Sequence, residues 1–483
     1  MKSNVQVVEE YVLGDHAYKV QILSNGVYSI TFLFTPSSRA RDVLTLIPYY
    51  FDLSHILERQ DEVIVSLAKR LNLSKADIEW IKAKLSGYDI LYPLMLDNKI
   101  TDIKVMSNRQ VIVRHQEYGD LRVKIQGKQL ILKEHEVRNL AISLMTRTGT
   151  SINVKNPLVD GAKLGKDRIV VSIIGTPYIT VRKFPRHPWM LHKLIAKGML
   201  TAKTAALLWL LNEYKVPIMI YGPMGSGKTS LAGAIIATAK PKASIVIIQD
   251  MPEINIAHPY AYYLYPTPTI KYSRLLSYAL RTSSEYLIVN EIRNKEEAVA
   301  FVQAINTGHG GITTIHAESV QGIISRLKHY GLTYSDISTL KVFVRTSIFD
   351  KRVKGLKTYD RKVLKVELLE GINNGVPSLS TFVEYEVEEN NWIEEIEPHL
   401  MNLLQGKEYD RCKIKAKLRV REVWLSTLAD RYMLSGLVET SEEWYSYLKK
   451  FYLEEERLLN SVYGFDEPQL ASIVSTGVLR GYV

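Results

Sequence analysis

A single cysteine, Cys412, stands in the 483 residues. One thiol excludes an intrachain disulfide and any four-thiolate zinc site. Its neighbours Arg411 and Lys413 are cations of the kind that activate a thiolate, but a plain structural or surface cysteine is the expectation. Long apolar runs are also lacking: a membrane-spanning helix needs about 18 apolar residues, and the best stretch, AALLWLL at 205–211, is far shorter. The opening MKSNVQVVEEYV has acids where a secretory signal has its apolar region, so a cytosolic chain is expected. No zinc-finger spacing, aromatic-rich RNA-binding motif, internal repeat or low-complexity segment is found. Acids are in modest deficit, 51 against 62 Lys and Arg, for a formal net charge of +11. The lysines are mixed with acids rather than gathered in blocks, which suits a membrane headgroup surface or an acidic partner, or a merely solvated surface.

What is present is organised in parts. At about 150 residues per domain, the length suggests roughly three domains. Residues 1–90 mix short strand-like runs (YKVQIL, VYSITFLF) with a helical run at 63–85, inside which Ser74 and Asp77 form a capping-box-like start. They read as an accessory α/β region with no chemistry of its own. Residues 91–184 carry the strands DIKVM, QVIVRH, DLRVKIQG, RIVVSII and YITVRKF around a helix near 134–148, a small α+β domain. Pro185 and Pro188 in FPRHP mark a hinge at 185–192. From 193 to 390, beginning with a helix capped by Thr201, apolar strands alternate with helices, which implies a parallel sheet covered on both faces. The segment 351–372 reads as a strand hairpin, and 391–483 as a helical extension containing WIEEIEPHLMNLLQ and EEWYSYLKKFYLEEERLLNSVYG.

The most specific stretch is PIMIYGPMGSGKTS at 217–230. An apolar strand ends at Tyr221, and Gly222, Gly225 and Gly227 let the backbone turn with its N–H groups inward, a cradle for phosphates. Lys228 reaches the β- and γ-phosphates, the Thr229 hydroxyl suits Mg²⁺, and the following helix directs its positive end at the anion. Nucleotide binding follows. Three polar clusters come after strand-like runs or lead into one: Gln249-Asp250-Met251-Pro252-Glu253, Asn290-Glu291-Ile292-Arg293, and Thr307-Gly308-His309-Gly310-Gly311 running on to His316. They are expected to gather around the phosphates as one hydrolytic site. Glu291 suits the metal-side acid, Glu253 the residue that orients the attacking water, and His309 and His316 donors to the γ-phosphate.

GPMGSGKTS, QDMPE, LRTSSEYLIVNEIR and TGHGGITTIHA resemble the Walker A, Asp box, Walker B and His box of the type II/type IV secretion and pilus-assembly ATPases. The archaeal branch is the closer likeness, because YPLMLDNKITDIKV, DGAKLGKDRIVVSI and ITVRKFP resemble segments of its N-terminal domain. The resemblance covers roughly residues 85 to 350. It implies an α/β fold: a RecA-like P-loop NTPase domain with a parallel sheet, preceded by a smaller α+β, PAS-like domain. It further implies an ATP hydrolase, dependent on Mg²⁺, working as a homo-hexameric motor on the inner face of the cytoplasmic membrane. The implied work is assembly of a type IV pilus-like filament or protein secretion, with a polytopic membrane platform protein as partner and no nucleic acid.

Residue by residue, the resemblance places Gly222, Pro223, Met224, Gly225, Ser226, Gly227, Lys228, Thr229 and Ser230 on the nucleotide, with Thr229 and Glu291 at the metal. Glu253 matches the catalytic glutamate, Glu291 the Walker B acid, and His309 and His316 the His box. Arg168 and Arg182 match arginines of the N-terminal domain that approach the γ-phosphate, and Arg281 and Arg293 match arginines flanking Walker B. Two positions depart from the pattern: Gln249 replaces an acid, leaving one fewer negative charge near the metal, and Asn290 replaces a glycine. Two other classes compete. A DNA-translocating or DNA-uptake ATPase would use the positive charge directly and bind DNA with a steep salt dependence. A non-hydrolysing, nucleotide-gated scaffold fits poorly with the presence of both Glu253 and Glu291.

Overall fold

The computed structural model describes residues 5–50, 60–184, 188–256, 258–267, 269–405, 407, 410–435 and 440–462. The chain divides into two compact units, Met1–Arg186 with Asp350–Tyr359, and His187–Phe349 with Asp360–Val483. Residues 185–187, where the expected hinge at 185–192 begins, lie outside the described residues.

The first unit is built on a ten-stranded sheet. Its strands are β1 (Val7–Leu13), β2 (Tyr18–Leu23), β3 (Val27–Phe32), β4 (Ile100–Met106), β5 (Ile112–His115), β6 (Gly119–Ile125), β7 (Lys128–Gln129), β8 (Leu158–Leu164), β9 (Asp167–Ser172) and β10 (Tyr178–Arg182). The expected division at residue 90 is not observed. β3 pairs with β6 in parallel, Val27 opposite Arg122, so both regions share one sheet. Val20, Ile22 and Ile30 lie in the same core as Val113, Leu121 and Val123. Across the same join, the Tyr28 hydroxyl donates to Asp97 at 2.6 Å, and the buried carboxylate satisfies it. Alternation in β6 places Leu121 and Val123 inward and leaves Arg122 outward. The helix Lys75–Leu85 starts at the capping box of Ser74 and Asp77. Tyr359 also belongs to this unit, its N–H bonded to the Glu117 carbonyl at 3.0 Å.

The second unit carries the strands β11 (Ile218–Tyr221), β12 (Ile245–Ile248), β13 (Ala261–Leu264), β14 (Tyr286–Glu291), β15 (Ile312–Ile315), β16 (Val342–Val353), β17 (Leu356–Asn373), β18 (Val376–Glu386) and β19 (Asn391–Glu394). They are ordered β13-β12-β14-β15-β11-β16-β17-β18-β19, and every pairing from β13 to β16 is parallel. β11, β12 and β15 are buried along their whole length, as strands covered on both faces must be. The sheet therefore presents the carboxyl ends of β11, β12, β14 and β15 along one edge, which positions the site.

Behind that edge the helix Ala202–Glu213, capped by the Thr201 hydroxyl on Thr204 N–H, is buried from Thr204 to Asn212. The short apolar run AALLWLL is thus a core helix. Trp209 alone, fully buried, contributes roughly 2–3 kcal/mol of apolar burial. The C-terminal segment does not stand apart as a helical extension. Trp392, expected in a helix, lies in the edge strand β19, and the helices Ile396–Leu404, Arg411–Ser435 and Ser441–Val462 contribute Leu400, Trp424 and Trp444 to the core that contains Trp209. Among the described residues no helix is long and apolar enough to cross a membrane.

Candidate active site

β11 ends at Tyr221, and the phosphate loop turns directly into the helix Lys228–Ile236. At Gly222 φ is +146°, and a Cβ there would stand 2.2 Å from the Thr346 carbonyl oxygen, so no larger residue fits. Gly227 begins the helix at φ 91°, in the left-handed region that favours glycine. Ser226 fixes the turn from inside: its Oγ donates to the Pro223 carbonyl and lies 2.8 Å from Thr346 Oγ1. Pro223, Met224 and Gly225 form the exposed rim, and Thr229 and Ser230 are half-buried in the first helical turn. Loop N–H groups and the helix N-terminus together make an anion cradle.

Lys228 is buried, and its Nζ donates to the carbonyls of Gly222 at 3.0 Å and Pro223 at 2.8 Å. Nζ also lies 3.2 Å from His316 Nδ1, at the carboxyl end of β15. His316 Nε2 lies 3.3 Å from Glu291 Oε1, at the end of β14. Glu291 Oε2 accepts from Arg293 Nε at 2.8 Å, and Arg293 Nη1 reaches Asp250 Oδ2 at 2.8 Å. Lys228, His316, Glu291, Arg293 and Asp250 are one connected polar chain along the strand ends. Burial pushes the Lys228 ammonium down to about 8, against the opposing pull of Glu291 and Glu253. Burial also works against the charge on Arg293, but Glu291 and Asp250 outweigh it and hold the group above its ordinary value. Glu253 joins from the loop after β12, its Oε2 accepting from Asn290 Nδ2 at 3.1 Å.

The two departures from the family pattern acquire reasons. Gln249 is fully buried, and its amide donates to the Ile254 carbonyl at 3.0 Å and accepts from the Ile254 N–H at 2.9 Å. A carboxylate could make only the second bond. Asn290 reaches across to Glu253, which glycine could not do.

Not every expected residue gathers here. Because β15 runs parallel to β11, the loop before it lies at the opposite edge of the sheet, and His309 sits there. It lines a cavity of about 510 Å³ with Lys215, Lys341 and Lys407. Arg281 is exposed in the turn ahead of β14, again at the amino edge. Arg168 and Arg182 belong to the first unit, where Arg168 pairs with Asp160 at 2.7 Å and Arg182 with Asp102 at 3.8 Å. Two residues at the loop went unread in the sequence: Thr346, and Arg361, whose Nε donates to the Gly225 carbonyl at 2.8 Å. Both come from β16 and β17, and a strand hairpin carries no motif that would have marked them.

An Mg²⁺ held in the manner of a phosphate loop would take its protein oxygens from the Thr229 hydroxyl and the Glu291 carboxylate, whose two oxygens lie against His316 and Arg293.

The chain is similar to known proteins in part of its length. The family model described as "Type II/IV secretion system protein" matches residues 169–358. Uncharacterized protein MJ0900 of Methanocaldococcus jannaschii is 33% identical over 317 residues, 62% of this chain and 55% of that protein. Type IV secretion system protein PtlH of Bordetella pertussis is 30% identical over 233 residues, 40% of this chain and 68% of that protein. The X-ray structure of the Legionella pneumophila ATPase DotB aligns at 15% identity with a TM-score of 0.43, covering 76% of this chain and 95% of that one. The chain spans little more than half the length of the curated relatives it matches first.

Proposed function

This chain belongs to the type II/IV secretion system protein family, and from that premise we propose that it is an ATP-hydrolysing motor of a secretion or pilus-type machine. The observation that carries the reading is the polar chain from Lys228 through His316 to Glu291, with Glu253 beside it, at the mouth of the phosphate loop. The loop N–H groups and Lys228 bind the triphosphate, Lys228 exchanging its two carbonyl acceptors for phosphate oxygens. Mg²⁺, when bound, draws charge from the phosphate oxygens, with Thr229 and Glu291 as the residues that would hold it. Glu253 accepts a hydrogen bond from the attacking water. As the water oxygen bonds to the γ-phosphorus, the bond to the bridging oxygen breaks, its electron pair leaves on ADP, and the water proton passes to Glu253. His316 donates toward the γ-phosphate, and Arg293 keeps Glu291 and Asp250 in place.

The working form is a homo-hexamer, peripheral on the inner face of the cytoplasmic membrane and docked on a polytopic platform protein. Its strokes drive assembly of a pilus-like filament or secretion of protein. Arg168 and Arg182 are the arginines that approach a γ-phosphate in this reading, in their own chain or in a neighbouring subunit. Steady-state phosphate release by the purified protein, with the Lys228→Ala protein as control, tests the reading. Mg²⁺-dependent turnover that Lys228→Ala abolishes is expected. Turnover unchanged by Lys228→Ala overturns the site, and stimulation by DNA with a steep salt dependence overturns the protein-moving role in favour of DNA translocation.

A further inference from the structure

We propose that Asn290 is a positioning residue for hydrolysis: it holds the Glu253 carboxylate in the orientation that receives the attacking water. The inference deepens the hydrolytic reading above and rests on it.

Asn290 is the penultimate residue of β14 and only 4% exposed. The register between β14 and β15 shifts between Val289 and Glu291, so Asn290 occupies a bulge next to the site. A bulge re-aims side chains that strict alternation would send to opposite faces, and here consecutive residues, Asn290 and Glu291, both serve the cluster. The backbone at this point is secured separately, because the Thr314 hydroxyl donates to the Asn290 carbonyl at 2.8 Å. The side chain is therefore spared for something other than holding the strand.

Nδ2 takes the Glu253 carboxylate as its acceptor at 3.1 Å. The reverse orientation would set an amide oxygen against a carboxylate oxygen, so the amide's direction is fixed by chemistry. That leaves Oδ1 buried, and among the described residues no protein donor reaches it. The amide is thus packed on every side, and the partner its donor reaches is the Glu253 carboxylate. A carboxylate held in one orientation presents its free lone pairs to the attacking water in a fixed direction, which is the requirement for in-line attack. The amide takes no proton in the reaction; Glu253 does. The family pattern has glycine at this position, so the device belongs to this chain and is not part of the common core.

The test compares Asn290→Ala and Asn290→Gly with the parent full-length protein, measuring kcat, KM for ATP and melting midpoint, and repeats Asn290→Ala in a Glu253→Ala background. Expected is a fall in kcat of roughly 10- to 100-fold with KM and melting midpoint nearly unchanged. The effect is expected to vanish when Glu253 is already absent, as coupled residues require. Asn290→Asp, which keeps the shape but cannot donate to a carboxylate, is expected to be at least as slow as Asn290→Ala. A parent that hydrolyses ATP while Asn290→Ala matches it sinks this inference alone. So does an Asn290→Ala loss of equal size with and without Glu253, or one that appears only as a lower melting midpoint. A parent that binds ATP but releases no phosphate sinks the hydrolytic reading and this inference with it.

Discussion

Lys228 Nζ lies 3.2 Å from His316 Nδ1. An ammonium can only donate, so Nδ1 is the acceptor and the imidazole proton sits on Nε2, facing Glu291 Oε1 at 3.3 Å. The lysine of the phosphate loop and the acid at the end of β14 are thereby joined through one ring. An incoming γ-phosphate competes for the donors at both ends of that bridge.

His316→Ala removes the bridge without touching the cradle. ATP affinity, read by titration of a fluorescent nucleotide, is expected to stay within a few-fold of the parent. Phosphate release is expected to fall by roughly 100- to 1,000-fold, the range for loss of one donor at a developing charge. Equal losses in affinity and turnover would mean that His316 shapes the loop and has no part in the chemistry.

Gln249→Glu restores the acid of the family pattern and is expected to destabilise this chain. The carboxylate leaves the Ile254 carbonyl without its donor and places a charge at a fully buried position. An unmade buried hydrogen bond costs about 1–3 kcal/mol. A lower melting midpoint, with the loop 249–254 exchanging its amide hydrogens faster, is the expected result. Unchanged stability would return Gln249 to the role of a missing metal-side charge.

The C-terminal helices supply a pH-dependent term. Glu213 is almost completely buried and pairs with Arg421, with Lys417 at 3.2 Å and with Lys240 at 3.8 Å. Burial pushes its carboxyl up, but Arg421, Lys417 and Lys240 together outweigh burial and hold it below its ordinary value. A depressed carboxyl contributes stability that is present above the unfolded value of about 4.3 and is lost as pH falls through the folded one. Glu213→Gln is therefore expected to flatten the acid limb of the stability curve. Near neutral pH it is also expected to cost up to about 3–5 kcal/mol, since fully buried Arg421 then keeps, among the described residues, Glu455 at 2.6 Å as its one acid partner. Denaturant melts at a series of pH values measure both effects.

The parts legible in the sequence were those with a local cause. IMIY is apolar and short, the glycines of the loop need conformations other residues avoid, and Thr201 and Ser74 cap helices where a hydroxyl precedes a helical run. What was not legible depends on pairings distant in the chain. Nothing local to VYSITF says that Ser29 will lie beside Lys124 in a parallel ladder, and so the first 90 residues read as separate. The helix Arg411–Ser435 buries Ile414, Leu418, Arg421 and Trp424 against the helix Ala202–Glu213 and its neighbours, and an arginine-rich run gives no apolar stripe to read. His309 and Arg281 fell within motifs but on the wrong side of their strands. A residue that precedes a parallel strand lies at the edge away from the phosphates, however close its motif runs in sequence.

Arg182 provides the remaining test, and it concerns assembly. It closes β10, and its Nε stands 3.8 Å from Asp102 Oδ1 with the side chain 43% exposed. An exposed pair this loose contributes on the order of 0–1 kcal/mol, so the arginine can leave it for a phosphate at little cost. An arginine that reaches a transferring phosphoryl group can be worth ~10³ or more in rate. Arg182→Ala is accordingly expected to bind ATP normally and to hydrolyse it very slowly. Whether the arginine serves its own chain or a neighbour is decided by mixing Lys228→Ala and Arg182→Ala proteins, each inactive alone, under conditions in which subunits exchange. If Arg182 acts across a subunit boundary, some mixed assemblies place an intact phosphate loop before an intact arginine, and phosphate release returns. If light scattering and a labelled subunit establish that exchange has occurred and activity is still absent, Arg182 acts within its own chain or only through Asp102, and its role between subunits fails.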